Sequence, residues 1–131
     1  SKKIQKQVKF ILILQPTCPF RKLNDFKKAY KKLTKNYDAI LTVKKVNEHP
    51  ERMMKKDKNG NLSNLSNRVN FKPRQNLEQL YIRAGSMYFF KVKELQNKKF
   101  NLGDKIYGIE VKGKYKVNID NKDDLEEARK F

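Results

Sequence analysis

Cysteine and long apolar runs are scarce in this sequence of 131 residues. A single cysteine, Cys18, cannot form an internal disulfide, which fits a reducing compartment. No run of about 18 apolar residues occurs, and this excludes a membrane-spanning helix. The first seven residues lack the apolar core of a signal peptide. We therefore expect a cytoplasmic protein without a membrane partner.

Glycine is also sparse, and its spacing matters more than its number. The five glycines stand alone at positions 60, 85, 103, 108 and 113. A phosphate-binding loop needs several backbone N–H groups that converge where glycines allow close approach. The spacing therefore excludes a glycine-rich phosphate loop within this sequence.

Acidic residues are few, so the net charge is strongly positive. Lys and Arg number 32 against 14 Asp and Glu, which gives a formal charge of +18. Only six of the basic residues are arginine, and the lysines are spread along the chain. A nucleic-acid surface more often shows clustered Arg with interleaved aromatic residues. The charge therefore indicates a compositional bias toward Lys, and a Lys-rich nucleic-acid-binding module is the less favoured alternative.

The chain is organised around a short apolar strand and the polar turn that follows it. Residues 10–14 are apolar without alternation, which is typical of a central strand covered on both faces. The turn then reads Gln15-Pro16-Thr17-Cys18-Pro19-Phe20-Arg21. Its prolines fix φ and remove backbone donors, so the turn is rigid and displays Gln15, Thr17 and Arg21 at the carboxyl edge of the strand. Ligands bind at that edge in open α/β sheets.

A strand followed by this turn closely resembles the cytidylyltransferases that activate nine-carbon 2-keto sugar acids, the CMP-sialic acid synthetase family. The resemblance implies an α/β fold, a nucleotide-diphospho-sugar-transferase-like (Rossmann-like) mixed sheet with a protruding β-hairpin dimerisation arm. It implies a reaction between CTP and a nonulosonic acid that yields a CMP-sugar and pyrophosphate, with Mg²⁺ as cofactor. On this resemblance Gln15, Thr17 and Arg21 are substrate-binding residues, and Gln15 and Thr17 contact nucleotide or sugar.

A second block of the resemblance lies between positions 74 and 90. The family pattern is Arg-Gln, a gap, an aromatic residue, an arginine, Asn-Gly and an apolar strand that carries a tyrosine. It is matched here by Arg74, Arg83, Gly85 and Tyr88. Ala84 replaces the usual Asn, which removes an amide able to bond ligand polar groups. The resemblance assigns Arg74 and Arg83 to the acid group, since guanidinium suits carboxylate or phosphate, and places Tyr88 in the substrate site.

The third block lies near the end of the chain and predicts a metal site. The family has Asp-Ile-Asp at a strand end before a helix, and this chain has Asn118-Ile119-Asp120. Asp120 matches the second aspartate, whereas Asn118 replaces the first. The resemblance therefore implies Mg²⁺ binding by Asp120 and Asn118, weakened because an amide oxygen brings no charge.

Three helical segments are predicted: the last turn or two of a helix over 2–7, a helix after the turn and a helix at the end of the chain. Over 23–35, apolar residues recur at three- and four-residue spacing and form one face: Leu23, Phe26, Ala29, Tyr30 and Leu33. In the final helix Asn121 is the expected N-cap. Asp123 and Asp124 suit the positive end of its dipole.

Strands are predicted over 39–46, 87–90 and 105–111, the last near a sheet edge because Gly108 interrupts it. Asn59-Gly60 between two short β-type segments predicts a hairpin. Gly85 would let the backbone approach another group closely. His49 has no second ligand or base partner nearby in sequence, so a hydrogen-bonded loop histidine is favoured over an active role.

The length leaves room for one core. Residues 1–131 are interpreted as one incomplete cytidylyltransferase-like domain, with 47–80 as a hairpin or arm insertion that packs on a second subunit of a homodimer. In the family, the triphosphate loop belongs to a preceding half-domain, so we expect this chain alone to be inactive. The sequence does not identify the general base. The alternative is a catalytically inert dimerisation or interaction module of the same fold.

Overall fold

The protein is a mixture of short strands and helices, seen in a computed structural model that describes residues 8–66, 76–96 and 102–131. The strands and helices are β1 (Phe10–Ile13), α1 (Leu23–Lys35), β2 (Ala39–Lys45), β3 (Met54–Lys56), β4 (Leu62–Asn64), β5 (Tyr81–Lys91), β6 (Ile106–Glu110) and α2 (Lys122–Arg129). Short 3₁₀ segments lie at Pro50–Arg52, Val92–Gln96 and Gly113–Lys116. The helices predicted after the turn and at the end of the chain are confirmed, whereas the helical segment predicted over 2–7 lies outside the described residues. None of the helices in these three ranges is long and apolar enough to cross a membrane.

Four strands form a mixed sheet in the order β1-β5-β2-β6. β1 pairs antiparallel with β5, and β2 pairs in parallel with β6. Between β5 and β2, Lys91 N–H donates to the Asp38 carbonyl and Met87 N–H donates to Thr42 Oγ1, a reversed order that makes this pair antiparallel as well. The predicted mixed α/β sheet is therefore confirmed, with β5 running against both of its neighbours.

β1 lies at an edge of this sheet in the described part of the chain, whereas the sequence predicted a central strand. Its start packs on both faces, because Phe10 contacts one apolar cluster and Ile11 contacts another. Its end is open: Leu12, Ile13 and Leu14 are 41%, 45% and 42% exposed. An apolar run without alternation reports apolar neighbours on both faces of a sheet, but it does not report which strands pair.

α1 covers one face of the sheet with a narrower apolar stripe than its spacing predicted. Ala29 and Leu33 are fully buried, in a cluster that includes residues of three strands: Ile40, Met87 and Ile109. Leu23 and Tyr30, which the prediction placed on the same face, are exposed. Full burial of a Leu side chain stabilises a fold by about 1.5–3 kcal/mol, so Leu33 is an anchor of this helix.

The opposite face of the sheet carries a second cluster, centred on Phe90. Phe90 is 1% exposed and packs with Ala39, Leu41 and Leu102. Because side chains alternate along a strand, neighbouring residues of β2 and β5 serve opposite clusters. The strands are thus apolar on both faces, as predicted for β1.

The described residues fall into two compact units, one up to Lys44 and again from Arg83, the other from Lys45 to Ile82. The second unit contains the β3–β4 hairpin, whose strands pair antiparallel. Asp57 Oδ1 accepts the N–H groups of Asn59 and Asn61, and Gly60 has the left-handed φ of +92° that such a turn needs. The predicted hairpin is confirmed; its role as an arm stays a prediction.

Asp38 ties together three elements at the start of β2. Its carboxylate lies 3.0 Å from Lys93 Nζ and accepts the Lys105 N–H at 3.1 Å. Its own N–H donates to the Lys105 carbonyl at 2.8 Å. The hydrogen bond from Lys93, followed by that from Lys105, holds the pKa of Asp38 below its ordinary value of 3.8.

A lowered pKa makes the contribution of Asp38 depend on pH. Its stabilisation is fully present above the unfolded value and is lost as the pH falls through the lower folded value. We expect Asp38→Asn to flatten the acid limb of the stability curve, measured as the free energy of unfolding in urea between pH 6 and pH 3. Asp104→Asn, at an exposed aspartate, is the control. Parallel acid limbs for the parent and Asp38→Asn would contradict this role.

Candidate functional site

The turn after β1 folds tightly on itself. The Cys18 N–H donates to the Gln15 carbonyl at 3.1 Å, so the chain reverses direction within the motif. Cys18 is 1% exposed, whereas Gln15 is exposed and Thr17 is half-buried. The turn therefore buries its thiol and leaves the two predicted substrate residues closer to solvent.

Gly85 of β5 lies against this turn. Its φ is +79°, and a Cβ added there would overlap the Gln15 side chain and touch Cys18 Sγ at 3.4 Å. The prediction that Gly85 permits a close approach is confirmed, and the approaching group is the turn itself. Gly85 therefore joins the first and second sequence blocks.

Arg21 fastens the turn to β5 through backbone carbonyls. Its Nε donates to the Ser86 carbonyl at 2.9 Å, and its Nη2 donates to the Gln15 carbonyl. Arg21 was predicted to bind substrate. In this arrangement two of its N–H donors are hydrogen-bonded to backbone carbonyls. Arg21 therefore positions Gln15 beside Gly85.

A buried hydroxyl network supports the same stretch of β5 and was missed by the sequence reasoning. Ser86 Oγ donates to Thr42 Oγ1 at 2.8 Å, and Thr42 Oγ1 also accepts the Met87 N–H at 3.1 Å. Thr42 and Ser86 are each 3% exposed. Two small hydroxyl residues inside otherwise apolar strands were the available signal, because buried hydroxyls require partners.

The third sequence block also reaches the turn. The Ile119 N–H donates to the Thr17 carbonyl at 2.8 Å, and Asn118 Oδ1 lies 3.5 Å from Cys18 Sγ. Cys18 Sγ is also 3.5 Å from the Ala84 carbonyl. Three segments that are far apart in sequence therefore meet around one buried thiol.

The segment after Ile119 is held by a capping box. Asn121 Oδ1 accepts the Asp124 N–H at 3.0 Å, and Asp124 Oδ2 accepts the Asn121 N–H at 3.1 Å. Asp124 Oδ2 also accepts the Asp120 N–H at 2.9 Å. The predicted N-cap is confirmed. Asp123 is exposed in the first turn, where it faces the positive end of the dipole.

The remaining predicted substrate residues are less well placed around the turn. Arg83 is exposed at the start of the first unit's part of β5. Tyr88 is half-buried and packs against the Phe90 cluster. Arg74 lies outside the described residues. Substrate binding by these residues stays a prediction.

His49 belongs to the second unit and serves the local backbone. Its Nδ1 accepts the Glu51 N–H at 3.2 Å, which caps the 3₁₀ turn Pro50–Arg52. The interpretation of His49 as a hydrogen-bonded loop residue is confirmed. It also lines a hollow within that unit together with two segments, Val46–Glu48 and Leu77–Leu80.

A shallow hollow lies beside the turn in the first unit. Its volume is about 10 Å³, and its lining combines polar residues such as Arg21, Thr42 and Ser86 with apolar residues such as Phe26 and Val111. Ligand pockets usually measure roughly 300–1,000 Å³, so this hollow is too small to enclose a ligand. Lys22 Nζ lies 4.4 Å from the Tyr115 ring centre, which places positive charge at the rim.

The two residues predicted to hold Mg²⁺ contact each other: Asn118 Nδ2 donates to Asp120 Oδ2 at 2.6 Å. Mg²⁺ binding by this pair stays a prediction. Within residues 8–66, 76–96 and 102–131, no three or more His, Cys, Asp or Glu side chains are grouped to hold a metal.

Comparison with known proteins identifies the fold. No family model and no curated protein matches the chain. Among solved structures, it is similar to the 4-diphosphocytidyl-2C-methyl-D-erythritol synthase of Anaerococcus prevotii, with a TM-score of 0.58 and 15% sequence identity. The alignment covers 98% of this chain and 63% of that one, so the chain spans less than two-thirds of its neighbour. At this identity the likeness establishes the mixed α/β fold that the enzyme shares.

Proposed function

We propose that this chain is part of a cytidylyltransferase that uses CTP to activate a nonulosonic, sialic-acid-like sugar acid. The observation that carries the proposal is the meeting of the three sequence blocks at the turn after β1. Ile119 contacts Thr17, and Gly85 packs on Gln15. The fold shared with a cytidylyltransferase supports the same class of reaction.

In the proposed reaction, the anomeric hydroxyl of the sugar acid attacks the α-phosphorus of CTP. A new O–P bond forms, the bond to the β-phosphate oxygen breaks, and pyrophosphate leaves with its electron pair. CTP is expected as its Mg²⁺ complex. The chain contributes position and charge, which are the main catalytic levers in phosphoryl chemistry.

Each residue of the site has a proposed task. Gln15 and Thr17 contact nucleotide or sugar, because they border the turn at the carboxyl edge of β1. Arg21 positions Gln15 through the backbone bonds described above. Arg74 and Arg83 bind the sugar-acid carboxylate, and Tyr88 of β5 is a further substrate-binding residue. The proton of the attacking hydroxyl passes to a general base, and none of these residues is assigned that role.

A homodimer is part of the proposal, and the hairpin unit supports it. Met53, Met54, Leu62 and Leu65 are 41–60% exposed there. Several exposed apolar side chains on one small hairpin suit a protein interface. The alternative of an inert interaction module uses the same surface without CTP.

The sequence shows no glycine-rich triphosphate loop, so we expect this chain by itself to release no pyrophosphate. The measurement is pyrophosphate release with CTP, Mg²⁺ and a panel of nonulosonic acids, with neutral sugars as control substrates. Adding a separately produced half-domain that carries the phosphate loop should restore CMP-sugar formation. Turnover by the chain alone would overturn the expectation.

The complemented assay, together with measurements of dimerisation, CTP binding and duplex binding, separates the alternatives. Restored activity with acids but not neutral sugars supports the proposed substrate class. Dimerisation without CTP binding favours the inert module. Duplex binding that survives about 0.2 M salt favours the nucleic-acid alternative, since screened Lys contacts fade at that ionic strength.

A further inference from the structure

The side-chain amide of Asn118 is engaged at both ends. Its Oδ1 lies 3.5 Å from the Cys18 thiol, and its Nδ2 donates to Asp120 Oδ2 at 2.6 Å. An ionised carboxylate only accepts hydrogen bonds, so the end of the amide that faces Asp120 must be the NH₂ group. The hydrogen-bond network therefore determines the amide orientation.

The surrounding groups leave Asp120 few ways to bind an ion with its neighbours. The Asp124 carboxylate, which is close in sequence, accepts the N–H groups of Asp120 and Asn121. Asn118 offers a donor, whereas Mg²⁺ takes oxygen ligands in near-octahedral geometry. A cation bridging Asn118 and Asp120 would require the amide to turn over, which would break its hydrogen bond to Asp120 and replace the oxygen that faces the Cys18 thiol with an NH₂ group.

We propose that in this chain the Asn118 amide takes the place of a cation at Asp120. Asn118 is then a positioning residue: it holds the Asp120 carboxylate by a charge-assisted hydrogen bond and links it to the turn through Cys18. The site binds no Mg²⁺ between positions 118 and 120. The inference uses the proposed function only for the identity of the ion, because the family resemblance implies Mg²⁺ there.

The test is a metal titration of the full 131-residue chain, with no turnover required. Mg²⁺ binding is measured by calorimetry and Mn²⁺ binding by electron paramagnetic resonance, for the parent and for Asn118→Asp. The substitution replaces the donor with a second carboxylate. We expect divalent-ion affinity to rise at least about tenfold, because a second charged ligand attracts a hard cation strongly.

The Mg²⁺ dependence of stability is a second readout, and a merely structural role of Asn118 would leave it unchanged. Without metal, Asn118→Asp should be less stable than the parent, since two carboxylates would face each other at short range. Mg²⁺ at 100 times the variant's dissociation constant should restore it, because an ion that binds only the folded state stabilises it. Asn118→Ala should be destabilised and insensitive to Mg²⁺, and so should Asn118→Asp combined with Asp120→Asn.

The outcomes are decisive in either direction. Parent affinity within about threefold of the Asn118→Asp variant would overturn the proposal, given the expected difference. If Asn118→Asp does not fold even with Mg²⁺, the titrations of the parent are compared with those of Asp120→Asn. Equal Mg²⁺ and Mn²⁺ binding by the two proteins supports the hydrogen-bonded site. Binding that is present in the parent and lost in Asp120→Asn overturns it. Failure of the proposed function would appear in the CMP-sugar assay and would leave these titrations unaffected.

Discussion

Gly85→Val should destabilise the protein by roughly 3 kcal/mol or more, which combines left-handed backbone strain with overpacking. The φ of +79° suits glycine, and a β-branched side chain is a strong outlier there. The new side chain would also displace Gln15 and press on the buried Cys18 thiol. The measurement is the free energy of unfolding from urea denaturation.

Gly113→Val is the matched control for that experiment. Gly113 also has a positive φ, +56°, but an added Cβ meets nothing within 4 Å. Its cost should therefore be backbone strain alone, about 1–2 kcal/mol. Equal losses for the two variants would show that the contact between Gly85 and the turn contributes nothing.

Phe90→Ala should cost about 3–5 kcal/mol, because it removes a fully buried aromatic side chain and leaves a cavity. Phe90 is 1% exposed in the cluster with Leu41 and Leu102. A domain of this size is stable by only about 5–15 kcal/mol, so the variant should approach the unfolding threshold. Urea denaturation measures this loss directly.

Phe89→Ala tests whether the effect belongs to the buried cluster. Phe89 is the neighbouring residue on the opposite face of β5, is half-buried, and packs edge-on against Phe10 and face-on against Tyr30. Truncation at a partly open site removes less area from the core, so its loss should be clearly smaller. A loss as large as that of Phe90→Ala would contradict the two-cluster description of the sheet.

The elements that sequence predicted well are those that local chemistry determines. The helix over 23–35 was predicted from apolar residues at three- and four-residue spacing, and the hairpin was predicted from Asn59-Gly60. The Asn121 cap likewise depends on residues three positions apart. The edge position that β1 has in the described part of the chain was not predicted, because its pairing partners lie 75 to 81 residues away and apolar character does not encode them.

The candidate site shows the same division. The motif residues were recognised from their order, and the structure brings the turn, Gly85 and Ile119 together. The sequence could signal that the buried hydroxyls need partners, but not that Thr42 pairs with Ser86 or which carbonyls Arg21 bonds, since these depend on the register between strands. The presence of a serine or an arginine in the sequence does not indicate which group it will bond in the folded protein.

Because Cys18 is buried, the reactivity of its thiol reports local opening of the structure around the turn. The thiol is the only one in the chain, and it lies where the turn, β5 and the segment before α2 meet. A thiol reagent can reach it only when these segments separate, so the alkylation rate reports the free energy of local opening rather than surface reactivity. Any molecule that bridges the same segments should slow that rate, which allows ligands to be ranked without knowing the reaction they take part in.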